Sequence, residues 1–355
     1  MNKVQWKEFW LSGTDGIFQL KSTASGIDGN KLVVSETQNV PYISRSDSSN
    51  GIKSFVSRNQ KKKYKKDCGN CITIGLDTQT VFYQPHSFFT GQNIQVLRNE
   101  KLTENVALFL VELIRKQMDK FNWGGNGATL GRLSRIKIML PVGKYGKPDF
   151  AYMESTINEL KNGKFKEYRE YISKELSKIQ YADILGLNEK EWLPFKLTDV
   201  FKIEPGKRLT VSDMKSGKTP FIGASDSNNG ITNFISNRNV SLDKNVLGVN
   251  YNGSVVENFY HPYECLFSDD VKRFHLKNWI DGKLILLFMK GLILQQKSKF
   301  LYAYKFNEKR MKNQSIMLPV DSKGNPDYSY MEQYIKNIFY KKYKGYLDFK
   351  EKTIA

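Results

Sequence analysis

Cysteine is scarce in this chain: three residues in 355, an odd number that closes no disulfide framework and points to a reducing compartment. Long apolar runs are missing as well, and no stretch approaches the roughly 20 residues that a bilayer-spanning helix needs. The opening residues, MNKVQWKEFW, hold no apolar signal-peptide core. These absences lead to the expectation of a cytoplasmic protein without a membrane partner. Acidic side chains are the last shortage. Against 55 Lys and Arg stand 36 Asp and Glu, a formal charge of +19. Such a chain is drawn to polyanions. Its basic residues are spread along the sequence among Asn, Ser, Gly and Tyr rather than gathered on one amphipathic helix. That distribution suits a folded groove binder better than a membrane-surface helix; a generally basic, soluble surface is the plain alternative.

What is present is a repeat. Pro41-Tyr42-Ile43 through Asp47-Ser48-Ser49-Asn50-Gly51-Ile52 matches Pro220-Phe221-Ile222 through Asp226-Ser227-Asn228-Asn229-Gly230-Ile231. Nearly a hundred residues later, Ile138-Met139-Leu140-Pro141-Val142 matches Ile316-Met317-Leu318-Pro319-Val320, at almost the same offset. Trp6 and Phe9 likewise pair with Trp192 and Phe195. Conserved order over that span makes two copies of one domain. Each copy carries short strand-like runs, such as Val200-Phe201-Lys202-Ile203 and Val246-Leu247-Gly248-Val249, broken by Asn-Gly turns. Helical patterns follow near 103–120 and 282–298. A further helix begins after Asp149 or Asp327, either of which suits an N-cap.

The helix after the first copy is predicted to run from Asp149 to about Ala182, roughly 45–50 Å at helical rise. Met153, Ile157, Leu160, Phe165, Tyr168, Ile172, Leu176 and Ile179 form its apolar stripe, close to a coiled-coil seam. The second copy offers Met331, Ile335, Ile338, Tyr343 and Tyr346. Each stripe needs a partner, and the other is the obvious one; two domain-closing helices that never meet are the alternative. Two readers on such a spacer predict two short recognition sites about one turn of duplex apart.

Within each copy one region carries side chains suited to base edges and phosphates. In the first it comprises Arg45, Ser46, Asn50, Lys53, Arg58, Asn59 and the run Lys61, Lys62, Lys63. In the second it comprises Lys207, Arg208, Ser225, Asn228, Asn229, Asn233, Asn237, Arg238, Asn250, Tyr251 and Asn252. Arg can pair with the guanine edge and Asn with the adenine edge, while Lys mostly neutralises phosphate. The competing explanation is that Asn and Gly simply make the turns. The turn framework is kept while its flanks change: Arg45 stands opposite Ala224, and Lys53 opposite Thr232. An asymmetric bipartite site is therefore expected, not a palindrome.

Catalytic signatures are few. The chain has no Asn/Asp-Pro-Pro-Tyr motif for amino-methylation, and Gly124-Gly125-Asn126-Gly127 lacks the Gly-Lys-Ser/Thr of a phosphate loop. Asp149, Glu159 and Lys161 spell the letters of a metal-dependent nuclease, yet ten residues of helix would hold the carboxylates about 15 Å apart. Cys68 and Cys71 form a lone C-x-x-C with no second pair to complete a zinc site. His86, His261 and His275 share no ligand spacing, and each is expected to be structural or DNA-facing. No cofactor or metal is expected.

The motifs Pro220-Phe221-Ile222-Gly223-Ala224-Ser225, Val249-Asn250-Tyr251-Asn252-Gly253-Ser254-Val255 and Phe259-Tyr260-His261-Pro262-Tyr263 resemble a target-recognition domain. Phe267-Ser268-Asp269-Asp270-Val271 extends that likeness, and Ile316 to Val320 followed by Tyr330-Met331-Glu332-Gln333-Tyr334-Ile335 resembles the junction into a helical conserved region. The family is the specificity subunit of Type I and similar bipartite restriction–modification systems; the short chain leans toward the BcgI-like kind. The first copy departs at Glu154-Ser155, where the Glu-Gln pair would fall. The resemblance implies an α+β protein with two similar target-recognition domains separated by long helices forming an antiparallel coiled coil. The expected divisions are 1–148, first recognition domain; 149–190, central spacer helix; 191–326, second recognition domain; and 327–355, C-terminal spacer helix. It also implies a non-catalytic subunit that binds double-stranded DNA. Methyltransferase or restriction subunits, two per chain, would dock on the exposed faces of 153–182 and 331–349. The rival readings are a stand-alone nuclease and a repeat-built adaptor that binds no DNA.

Overall fold

A computed structural model describes residues 4–34, 37–121, 125–277, 282–300, 306 and 308–354. The chain divides between Tyr168 and Arg169 into two compact units. Each holds one copy of the repeat, and their strand pairings agree.

In the first unit an antiparallel ribbon joins Trp6–Trp10 to Lys137–Pro141. A four-stranded antiparallel sheet has the order Gln19–Ser22, Ile94–Arg98, Cys71–Gly75, Val81–Gln84. A three-stranded sheet sets Gln38–Ile43 between Ile52–Ser57, antiparallel, and Phe89–Thr90, parallel. The second unit repeats the pattern. Its ribbon is Trp192–Lys196 with Ser315–Pro319, and its four-stranded order is Phe201–Pro205, Val271–Leu276, Val246–Asn250, Asn258–His261. Its smaller sheet sets Ser216–Ile222 between Ile231–Ile235 and Leu266–Phe267.

The unbroken apolar runs have a simple cause. Cys71–Gly75 and Val246–Asn250 are buried at every residue, because both faces of these inner strands are covered. Ile72 and Ile74 meet Val106, Leu110 and Ile114 of the helix Glu104–Met118, spaced one helical face apart. Cys71, on the other face, meets Ile43, Phe88 and Val96 toward the three-stranded sheet. In the second unit Leu247 and Val249 meet Ile285, Met289 and Ile293 of the helix Lys283–Leu294, while Val246 meets Ile222, Cys265 and Phe267. Alternation along a strand thus sorts side chains between a helix layer and a second sheet.

The Asn-Gly turns are conformationally required. Asn50 and Asn229 have φ of 57° and 55°, and Gly51 and Gly230 follow at 77° and 75°. A Cβ on Gly51 would sit 3.3 Å from Ile43 Cγ2, so both left-handed backbone and close approach call for glycine.

The long helices begin as expected. Asp149 Oδ1 accepts from Tyr152 N at 2.9 Å and Asp327 Oδ1 from Tyr330 N at 2.9 Å, capping Phe150–Leu176 and Tyr328–Ile354. The first stops earlier than predicted, at Leu176 rather than near Ala182. Residues 180–185 instead lie against the last helix, whose side chains satisfy their backbone. Asn337 accepts from Ala182 N at 3.2 Å and donates to Ala182 O at 2.7 Å. Gln333 donates to Gln180 O, and Tyr330 to Leu185 O, each at 2.9 Å. A peptide offered such partners no longer needs the helical i−4 bond. Within this unit the chain rises from Arg169, 3.4 Å from Glu351, to Lys190, 2.7 Å from Asp327, and so runs antiparallel to the last helix. No helix of the described residues is long and apolar enough to cross a membrane.

Candidate nucleic-acid interface

The residues expected to touch DNA fall into two groups within each unit, and many of their amides are committed elsewhere. Asn50 donates to Tyr83 O at 2.8 Å, and its own carbonyl accepts from Gln84 Nε2 at 3.1 Å. Asn229 donates to the Tyr263 hydroxyl at 2.8 Å. Both side chains hold the turn that their backbone makes. Asn250 is buried and donates to Ser225 O at 2.9 Å and Ser254 O at 3.2 Å, which joins loops 224–228 and 250–254. Asn252 donates to Asp270 Oδ1 at 3.0 Å, and Asn233 to Met214 Sδ at 2.7 Å. Ser46 and Ser225 accept from the backbone N of Ser48 and Ser227. These are scaffold contacts, and Asn250 is the most committed of these residues: its buried amide donates to two backbone acceptors.

The remaining cations are exposed. Arg45 pairs with Asp77, Arg238 with Glu264 at 2.7 Å and Arg208 with Asp269 at 3.6 Å. Solvent-exposed pairs of this kind are weak and can be exchanged for a phosphate. Lys53, Arg58, Lys61, Lys62, Lys63 and Lys207 are exposed and make no ion pair among the described residues. Lys63 lies over the Tyr64 ring at 5.1 Å. Asn59 and Asn228 are exposed. Tyr251 is half-buried under Lys272 Nζ at 4.9 Å; burial, with Asp270 and Asp269 nearby, raises its hydroxyl pKa.

Two features escaped the sequence. The first is a recurrent clip. Gln60 accepts from Val33 N and donates to Val33 O, both at 2.8 Å. Asn237 accepts from Lys215 N at 2.7 Å and donates to Asp213 O at 3.0 Å. Each amide locks the loop after the edge strand to the loop before the central strand of the smaller sheet. Different residue types do this in the two copies, so self-comparison does not reveal it. The second is the trio Glu204, Asp243 and His275, whose ligand atoms lie within 4.8 Å of one another. Arg273 Nη1 lies 2.7 Å from the Asp243 oxygen that His275 Nε2 meets at 2.9 Å, and Lys202 lies 2.7 Å from Glu204. Burial opposes ionisation of Asp243, but His275, the Lys244 amide and Arg273 outweigh it and lower its pKa. Lys202 leads the lowering at Glu204. The cations already present make this an ion-pair network; only strand pairing brings residues 204, 273 and 275 together.

The sequence profile of the Type I restriction modification DNA specificity domain matches residues 6–167 and again 189–344. The chain belongs to that family. It is 44% identical over 335 residues to the "Type II restriction enzyme BgcI specificity subunit S.BcgI" of Heyndrickxia coagulans, covering 94% of each chain. The crystal structure of the Type-I restriction-modification system S subunit from M. genitalium shares its fold, with a TM-score of 0.53 at 14% identity, over 98% of this chain and 92% of that one.

Two of the residues that spell a nuclease have structural partners. Asp149 caps its helix, and Lys161 Nζ pairs with Glu104 at 2.9 Å. Cys71 is buried, and burial pushes its thiol up to about 12, so at neutral pH it stays protonated; Cys68 is exposed and both are free. Of the Gly124–Gly127 segment, Gly124 lies outside the described residues; Asn126 donates to Lys120 O at 2.9 Å, just beyond the end of the preceding helix at Met118. His261 is buried and structural.

Proposed function

We propose that this chain is the sequence-reading subunit of a restriction–modification complex and binds an asymmetric bipartite duplex site. The observation that carries the reading is one fold present twice with the same strand order, while the exposed cations differ between copies. Equal frames with unequal surfaces suit two half-sites of different sequence. The recognition domains are taken as 1–148 and 191–326, with spacers at 149–190 and 327–355. The antiparallel course of 169–190 along 327–351 supports pairing of the spacers as an antiparallel coiled coil. Two methyltransferase or restriction subunits would dock on the exposed faces of these spacers and bring the chemistry; this chain brings none and acts in the cytoplasm.

Selection of duplexes from a random pool by the purified chain tests the reading. Two different short motifs at a fixed separation are expected, with Arg45→Ala relaxing one of them and leaving the other intact. A single symmetric motif would count against two unlike readers, and retention of no duplex, with or without its partner subunits, against DNA reading itself.

A further inference from the structure

We propose that Val211 and Val240 in the second repeat, and Val34 in the first, are base-reading side chains that meet the 5-methyl group of thymine in the major groove. This rests on the DNA-reading function above and goes beyond it by naming the atoms read. Val34, Val211 and Val240 are 64%, 79% and 82% exposed. Among the described large hydrophobics only Tyr145 stands further into solvent than Val211 and Val240, and Val34 comes next.

Their loops have no shortage of room for apolar groups. Leu209, Met214 and Leu242, from the same loops, turn inward against Phe221, Ile235 and Leu266. The valines are the apolar residues these loops hold outward. The loops are also fixed. Asn237 ties the turn Val211–Asp213 to the segment that carries Val240, and Asn239 Oδ1 accepts from Ser241 N at 2.8 Å just beyond it. Gln60 does the same beside Val34. A β-branched side chain on a clipped loop has little freedom to lose on contact.

The surroundings choose the partner. Lys207, Lys215, Lys218 and Lys244 flank Val211 and Val240 along the chain, are exposed and make no ion pair among the described residues. The first unit offers Arg58 and the Lys61–Lys63 run on the clipped loop. Apolar tips on loops rich in unpaired cations fit a surface that is anionic around and apolar at its centre. A duplex has that character where phosphates flank the methyl of thymine, the apolar mark of the major groove.

The test replaces each thymine of the selected site singly by deoxyuridine, which keeps the base pair and removes only the methyl. The full chain should bind about fourfold more weakly at one or more positions in each half, the value of burying one methyl. Val211→Ala or Val240→Ala should erase that effect in one half, and Val34→Ala in the other, with the salt dependence of binding unchanged. Exposed valines are safe to truncate, so these variants fold. Equal affinity for every deoxyuridine duplex overturns the proposal, as does a methyl effect that survives in all three variants, or a selected site without thymine. If the unaltered chain selects no duplex at all, with or without its partner subunits, the DNA-reading function falls with it, which separates the two failures.

Discussion

Gly248 and His261 lie on neighbouring strands of the second unit. A Cβ on Gly248 would fall 3.0 Å from His261 Nε2 and 3.0 Å from Phe267 Cε1. The first repeat sets Thr73 and Gln84 at these positions, joined by a 3.1 Å hydrogen bond. Each copy therefore fills the same space in its own way. Gly248→Ala should destabilise by about 1–3 kcal/mol through overpacking, read from the urea midpoint. His261 Nε2 is buried without a hydrogen-bond partner, and burial lowers the ring pKa from 6.5 to about 4. Above pH 6.5 the ring is neutral in both folded and unfolded chains, and it adds no pH dependence to stability. Between pH 6.5 and 4 the unfolded chain takes up a proton that the folded one refuses, so stability falls by about 3 kcal/mol as the pH drops. His261→Gln, the residue type of the first copy, should flatten that part of the stability profile. Glu204 and Asp243 have lowered pKa values, so their contribution persists above the unfolded carboxylate range and is lost only below about pH 4.

The two long helices begin with the same cap but not the same attachment. Asp149 accepts the Tyr152 amide. Asp327 accepts the Tyr330 amide and also holds Lys190 at 2.7 Å, with both charges largely shielded. Asp149→Ala should then cost about 1 kcal/mol, the value of a cap, and Asp327→Ala about 2 kcal/mol. Denaturation of the two variants side by side would check the difference. An equal loss would mean that Lys190 contributes nothing to the junction.

At the scale of the whole molecule the charge of +19 governs association. Each phosphate neutralised on duplex DNA adds about 0.9 to the slope of log affinity against log salt. Replacing Lys61, Lys62 and Lys63 together by alanine should reduce that slope by about three while leaving the motif selected by the second unit unchanged. A steep slope that these lysines do not affect would place the phosphate contacts elsewhere on the chain.

Local pattern was enough to read the repeat, the Asn-Gly turns and the helix caps. Those features depend on residues close in sequence: a left-handed backbone at Asn50-Gly51, or a carboxylate three residues from the amide that it caps. The basic character needed only counting. The early end of the first long helix, by contrast, depended on Asn337 and Gln333 meeting residues 180–182 across some 155 positions. The same holds for the site. Asn250 was chosen because asparagine suits adenine, yet strand packing buries it and directs its amide to Ser225 and Ser254. Val211 and Val240 drew no notice, because an exposed valine and a buried one look alike in sequence. Composition and short-range pattern determined what kind of protein this is and how often its fold occurs; only the tertiary structure decided which polar groups are consumed inside and which side chains remain outside, because that is settled by partners distant along the chain.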